Sequence, residues 1–347
     1  MASSINNSAW LEWMAALMGG VSRQAEAAAF PPDRFYCLLD ELPLHLIPRP
    51  ARQALHQGGQ DLQPLLLNPD CLITSGEQLP GELAHSADLF SGVALQGTIA
   101  WVRSSSTGSL LPFWLGRNFT TLLQSLPPNE PVPATFPAET RELLRAAGIL
   151  IHQSSLASIP SPPAQIAQPA AMFRERGYAP LRDLIHPFHI AALRRYYRHL
   201  IRTGAIQLGD RQSPRRYVAY NEPVARLFHH QITGAFSGLA CEPLKPSYVY
   251  LASYLSGAEL KKHTDREQCE FSITLCLDFS PEPALATPWP IRLDTPQGSV
   301  TVYQALGDAL AYRGTRLPHY RHALPEGHTS TSIFFHYVSA HFEGPLE

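Results

Sequence analysis

The chain has 347 residues, 45% hydrophobic and 16% charged, with a formal net charge of −2. That composition supplies core material for two domains of ordinary size and excludes a disordered chain; the near-neutral charge gives no footprint for nucleic acid. Five cysteines without a C-x-x-C pair argue against a disulfide framework and for a reducing cytoplasm, and no apolar run reaches the roughly 18 residues of a membrane span.

Near the start, Trp10, Trp13, Met14 and Leu17 predict an amphipathic helix. Ala25-Glu26-Ala27 has the look of a leader-cleavage site, but no Lys or Arg precedes Arg23 and Glu12 interrupts the apolar stretch, so the helix is the better reading. Residues 95–103 and the LLPFWL run at 110–115 predict two strands around an SSSTG turn. Residues 117–126 predict a helix, and residues 137–149 another, opening near Pro137 and stopping at Gly148. A hairpin followed by two helices is similar to small winged-helix-like modules, including peptide-recognition domains of natural-product enzymes. A helical extension packed on the rest of the chain is the alternative.

Residues 154–170 are rich in Pro, Ser and Ala and carry no charge. They predict a semi-extended linker between an N-terminal domain, 1–153, and a C-terminal domain, 171–347. Past the linker, Phe188, Ala192, Leu193, Tyr196, Tyr197, Leu200 and Ile201 form one stripe of a helix over 186–202. Arg194, Arg195, Arg198 and Arg202 lie mostly off it and read as a solvated face. Asn221-Glu222-Pro223 predicts a second helix, with Asn221 as cap, running to about Gly234.

The apolar period then changes to two. In 247–255, Tyr248, Tyr250, Ala252 and Tyr254 share one face while Val249, Leu251 and Leu255 share the other. In 270–278, Phe271, Ile273, Leu275 and Leu277 alternate with polar or small residues, and shorter strands fit at 298–303, 308–313 and 331–338. Helices followed by a run of short strands predict an α+β fold with a sandwich or jelly roll buttressed by the helices.

His263-Thr264-Asp265 follows the tyrosine-rich strand. In an extended chain, residues two apart point the same way, so an imidazole and a carboxylate converge. One more histidine completes a two-histidine, one-carboxylate set with three coordination positions open. His319, His322, His328 and His336 are the candidates. His186, His189, His199, His229 and His230 fall on helices and read as surface or packed side chains.

The stretch SYLSGAELKKHTDREQCEFSITLCLDF resembles the iron-binding region of the prolyl-4-hydroxylase-like branch of the Fe(II)/2-oxoglutarate dioxygenases, through Tyr254, Gly257, His263, Asp265 and Leu277-Asp278. Gly307, Asp308, Ala309, His319 and Gly327 follow in that family's order, and the resemblance covers about residues 178–338. It implies a double-stranded β-helix, Fe(II) held by His263, Asp265 and His319, 2-oxoglutarate as cosubstrate and O2 as oxidant. His319 is favoured because Gly327 then stands where the family places its glycine; His322 is the alternative. The implied reaction is hydroxylation of an unactivated C–H of an amino-acid side chain, free or in a peptide or natural product. Desaturation or cyclisation at the same site, and a silent jelly-roll module for a peptide or sugar, are the rivals.

The family's usual Lys or Arg about ten residues beyond the distal histidine is Thr329 here. The expected substitute anchor for the far carboxylate of 2-oxoglutarate is Arg321, two residues past His319, assisted by Tyr254, with Thr329 adding a neutral hydrogen bond. A surface pairing of Arg321 with Glu326 is the alternative.

Overall fold

A computed structural model describes residues 30–57, 63–126, 130–133, 135–157 and 163–347. The helix expected around Trp10 and the motif at Ala25 lie outside the described residues. No described helix is long and apolar enough to cross a membrane.

The N-terminal part carries α1 (Arg49–Gln57), β1 (Leu65–Leu67), β2 (Leu72–Ser75), β3 (Thr98–Arg103), β4 (Leu110–Trp114), α2 (Gly116–Gln124), α3 (Ala138–Ala146) and β5 (Leu150–His152). The expected hairpin is β3–β4, extended by β2 into a three-stranded sheet, while β1 pairs with β5. The segment expected to be a semi-extended linker is instead helical from Pro163: α4 spans Pro163–Arg176 and contains Pro169. Its Ala-rich composition permits a helix, and its last turn drops Phe173 into the core.

The next two helices fall where the period of 3.6 placed them. In α5 (Pro187–Arg202), Pro187 opens the helix and His186 caps it, its Nδ1 accepting from the Phe188 amide. In α6 (Pro223–Ala240) the cap is Glu222, accepting from the Ala225 amide, and not Asn221. Asn221 adopts φ 47° and its Oδ1 accepts from the Val249 amide, which ties the loop to a strand. Glu222 also accepts from the hydroxyls of Tyr196 and Tyr197, clamping α5 to α6. The helix runs past Gly234 to a left-handed Cys241.

Strands β6 (Tyr178–Leu181), β7 (Gln207–Leu208), β8 (Arg216–Tyr220), β9 (Leu244–Tyr254), β10 (Leu260–His263), β11 (Phe271–Ser280), β12 (Ile291–Thr295), β13 (Gly298–Val302), β14 (Ala309–Tyr312), β15 (His319–Arg321) and β16 (Thr329–Ser339) form two antiparallel sheets. The larger has the order β6-β14-β11-β16-β9-β8-β7, the smaller β10-β15-β12-β13. From β9 to β16 the chain passes back and forth between them, so β9, β11, β14 and β16 face β10, β12, β13 and β15.

Strand alternation sorts the larger sheet's side chains. Val249, Leu251, Phe271, Ile273, Leu275, Ile333, Phe335 and Tyr337 join the core beneath the helices, whereas Tyr248, Tyr250, Ala252, Tyr254, Cys276 and Phe334 belong to a second cluster between the sheets. The helix-side core is continuous with the N-terminal part. Phe35 meets Trp114, Tyr196 and Phe228 edge-on at 5.7–6.3 Å between ring centres. Trp114 and Phe113 are fully buried in the same cluster as Phe188 and Leu193.

Two arginines expected on a solvated face have other work. Arg194 is 1% exposed; it pairs with Asp278 at 2.9 Å and donates to the Leu46 carbonyl. Arg198 pairs with the same carboxylate at 2.6 Å. Asp278 thus fixes α5 to the end of β11.

Candidate metal centre

His263 and His319 are direct partners across the antiparallel pair β10–β15, which brings their rings to 4.4 Å between centres. Asp265 follows in the loop, its amide donating to the Gly314 carbonyl at 2.9 Å. One of its oxygens, Oδ1, lies 3.5 Å from His263 Nε2 and 3.5 Å from His319 Nε2. These three ligand atoms form a group able to hold a metal ion.

Each imidazole is turned by its own backbone. His263 Nδ1 donates to the Lys261 carbonyl at 2.7 Å and His319 Nδ1 to the Leu317 carbonyl at 3.0 Å. A carbonyl can only accept, so both protons sit on Nδ1 and both Nε2 lone pairs are left facing Asp265. Burial works to raise the Asp265 carboxyl, but the two imidazoles, which can donate to it from Nε2 only while doubly protonated and no metal is held, outweigh it and hold the group well below the usual carboxylate range. A deprotonated carboxylate and two neutral imidazoles are the donor set of a divalent first-row metal, and the residues fit one. His319 is 2% exposed, while the His263 side chain retains 40%, so the centre is open on one side.

That side is a cavity lined by Arg216, Tyr248, Tyr250, Tyr254, Phe334 and His336 among others, with the exposed ring of Tyr220 at its mouth. Tyr254 is among these lining residues and is 2% exposed. Arg216 is paired at 2.5 Å with Asp210 and lies over the rings of Tyr250 and Tyr254. Nothing in the sequence separates Arg216 from its neighbours Arg211 and Arg215; its place in the cavity comes from the pairing of Arg216 with Tyr254 across β8 and β9.

Arg321 is 5% exposed and lies just behind the cavity wall, close enough to Tyr254 and Tyr312 to interact with their hydroxyls. It donates to the Trp289 carbonyl at 2.5 Å and to Gln304 Oε1 at 3.0 Å, and its guanidinium lies over the Trp289 ring. Among the described residues no carboxylate is within ion-pair distance of it, so the alternative pairing with Glu326 does not form. Burial lowers its pKa from the ordinary arginine value.

One expected site residue and one alternative ligand turn away from the cavity for the same reason. Thr329 is exposed and does not line the cavity. It shares the parity of Ile333 and Phe335 on β16, opposite to Phe334 and His336, so its side chain leaves the sheet on the wrong face. His322 falls on the outward parity of β15 and is exposed beside Tyr320, which leaves His319 as the third member of the cluster. Ser272 and Tyr312 were missed, while His336, one of the four candidate histidines, lines the cavity. Their signal was their cavity-side parity, shared with Thr274 and Phe334.

No family model matches the chain, and no curated protein matches it. Solved structures similar to it include the non-haem alpha-ketoglutarate-dependent epimerase SnoN from nogalamycin biosynthesis, at 16% identity over 51% of this chain and 84% of that one, with a TM-score of 0.43. A Pseudomonas putida prolyl-4-hydroxylase is 16% identical over 50% of this chain and 100% of its own, with a TM-score of 0.42. HygX from Streptomyces hygroscopicus, solved with nickel, 2-oxoglutarate and hygromycin B bound, is 13% identical over 50% and 88%, with a TM-score of 0.41.

Proposed function

We propose that the chain is an Fe(II)- and 2-oxoglutarate-dependent oxygenase on a jelly-roll scaffold. The observation that carries this is the convergence of His263, Asp265 and His319 on one point, near a buried arginine that has no carboxylate partner among the described residues. The two-sheet alternation from β9 to β16 supports a double-stranded β-helix; the three ligands line the pocket, and Arg321 lies just behind its wall.

Charge decides which cosubstrate suits the site. Divalent iron on one carboxylate and two neutral imidazoles carries a single positive charge. Arg321 adds a second, and Arg216 is already neutralised by Asp210. A dianion cancels the remainder, and a short keto diacid is a dianion that can reach both centres. A buried cation lacking a counter-ion is costly, so Arg321 is the anchor for the far carboxylate, with the Tyr254 hydroxyl beside it. Arginine's planar fork suits a carboxylate.

Bound at the three ligands, Fe(II) supplies oxygen activation coupled to decarboxylation of 2-oxoglutarate and oxidation of an unactivated C–H bond. The chain's own residues hold that reaction in place. His263, Asp265 and His319 occupy one face and leave the other free. Tyr248, Tyr250, Phe334 and Trp289 exclude water, and Tyr220 at the mouth is placed to meet the substrate. The reaction we assign is hydroxylation of an amino-acid side chain, free or within a peptide or natural product. Anaerobic addition of Fe(II) and 2-oxoglutarate is expected to give a weak visible charge-transfer band; a chain that binds neither, and shows no band, is a binding module instead.

A further inference from the structure

Asp265 is the one member of the cluster with two possible ligand atoms, and only Oδ1 faces the histidines. Its second oxygen accepts a hydrogen bond from Ser272 Oγ at 3.0 Å. A serine hydroxyl has a single proton. With that proton directed at Asp265, the 2.9 Å contact between Ser272 Oγ and His336 Nδ1 has His336 Nδ1–H as donor. His336, Ser272 and Asp265 are therefore joined by two hydrogen bonds that run in one direction, toward the carboxylate.

The arrangement is fixed from all sides. Ser272 and His336 are direct partners across β11 and β16, and they are 0% and 6% exposed. The His336 ring packs near Tyr248, 4.7 Å away, and Phe334, 6.5 Å away and nearly parallel at 7°. Behind the carboxylate stands Gly314, where even a methyl group would overlap Asp265 Oδ2 and the Cys269 carbonyl.

We propose that Ser272 and His336 are positioning residues that keep Asp265 a one-oxygen ligand. A carboxylate free to rotate can chelate a metal through both oxygens, as Asp and Glu readily do. Here that would occupy one of the three positions left by the ligand set. A keto acid needs two of them and dioxygen the third. Tying Oδ2 to Ser272 reserves the third position, and His336 prevents the serine from turning away. The inference rests on the oxygenase reading and adds to it a device that keeps the centre open.

The test uses the full-length apo chain under anaerobic conditions, with Co(II) as spectroscopic probe and 2-oxoglutarate titrated onto the metal-loaded protein. Ser272→Ala is expected to bind Co(II) within about threefold of wild type but to lose about 10-fold or more in 2-oxoglutarate affinity, with altered visible bands of the bound Co(II). Ser272→Thr keeps the hydroxyl and restores both. His336→Asn offers an amide N–H near the place of Nδ1–H and stays close to wild type, whereas His336→Leu follows Ser272→Ala. Unchanged 2-oxoglutarate affinity and Co(II) bands in both Ser272→Ala and His336→Leu overturn the relay. If His336→Leu does not fold, the Ser272 pair decides alone. A wild-type chain that takes up no metal overturns the oxygenase reading and the relay together, so the two failures are distinguishable.

Discussion

His263 and His319, distant in the chain, face each other across one antiparallel strand pair and point their Nε2 atoms at the same oxygen of Asp265, each at 3.5 Å. Neither residue can be moved without losing the convergence, because each ring is tethered through Nδ1 to the carbonyl two residues before it.

Alanine in place of His263, Asp265 or His319 is accordingly expected to abolish stoichiometric iron binding and turnover while the chain stays folded. His322→Ala, on the outward face of β15, is expected to keep both. Metal analysis after anaerobic loading, alongside circular dichroism, checks this. Full iron content in His319→Ala would move the centre elsewhere.

Arg321→Ala should raise the apparent KM for 2-oxoglutarate by about 30-fold or more, as befits loss of a charged hydrogen bond in a desolvated site, on the order of 2–5 kcal/mol. Thr329→Ala should leave it unchanged, since Thr329 faces solvent. Steady-state kinetics with 2-oxoglutarate varied decides. An unchanged KM in the arginine variant, with the protein folded, would remove Arg321 as the anchor and turn attention to Arg216.

A truncation starting near Ala171 is expected to be insoluble. Phe35, Phe113 and Trp114 are buried against α5 and α6, and removing them would expose Phe188, Leu193 and Phe228 together. Gly92 stands so close to Pro223 and Val224 that a side chain there would meet them within 3.2 Å. Sedimentation of the expressed fragment checks this; a soluble, folded fragment that decarboxylates 2-oxoglutarate would show that 171–347 is autonomous after all.

Acid should loosen the same seam. Burial pushes His186 down to about 4 and His189 to about 3, and their Nε2 atoms donate to the carbonyls of Ala146 and Pro112 in the N-terminal part, both at 2.9 Å. The unfolded chain takes up these protons near about 6.5 while the fold refuses them. Stability present above that pH is therefore lost progressively as pH falls toward about 4 and then about 3. Denaturant midpoints measured from pH 7.5 to 5 should fall with pH, and His189→Gln should flatten the fall. A wild-type midpoint that is level across this range contradicts the account.

The sequence by itself determined what depends on neighbours along the chain. The H-x-D spacing aligned His263 with Asp265, the period of two put Tyr248, Tyr250 and Tyr254 on the cavity face, and the period of 3.6 located α5 and α6. These are local properties, because side-chain direction repeats within a strand or helix whatever surrounds it. The tertiary structure decided everything that needs two strands at once. Cross-strand register chose His319 from four nearby histidines, turned Thr329 outward, set Ser272 opposite His336 and Arg216 opposite Tyr254. Burial made Arg194 an internal ion-pair partner of Asp278 and left Arg321 a cation with no carboxylate partner among the described residues, since long-range packing sets which charges lose water. The helical start of the Pro-rich segment at Pro163, and the core shared by residues on either side of it, were decided by packing too, because the rings that bury Phe35 (Tyr196 and Phe228) and Phe173 (Phe236 and Phe271) lie far along the chain.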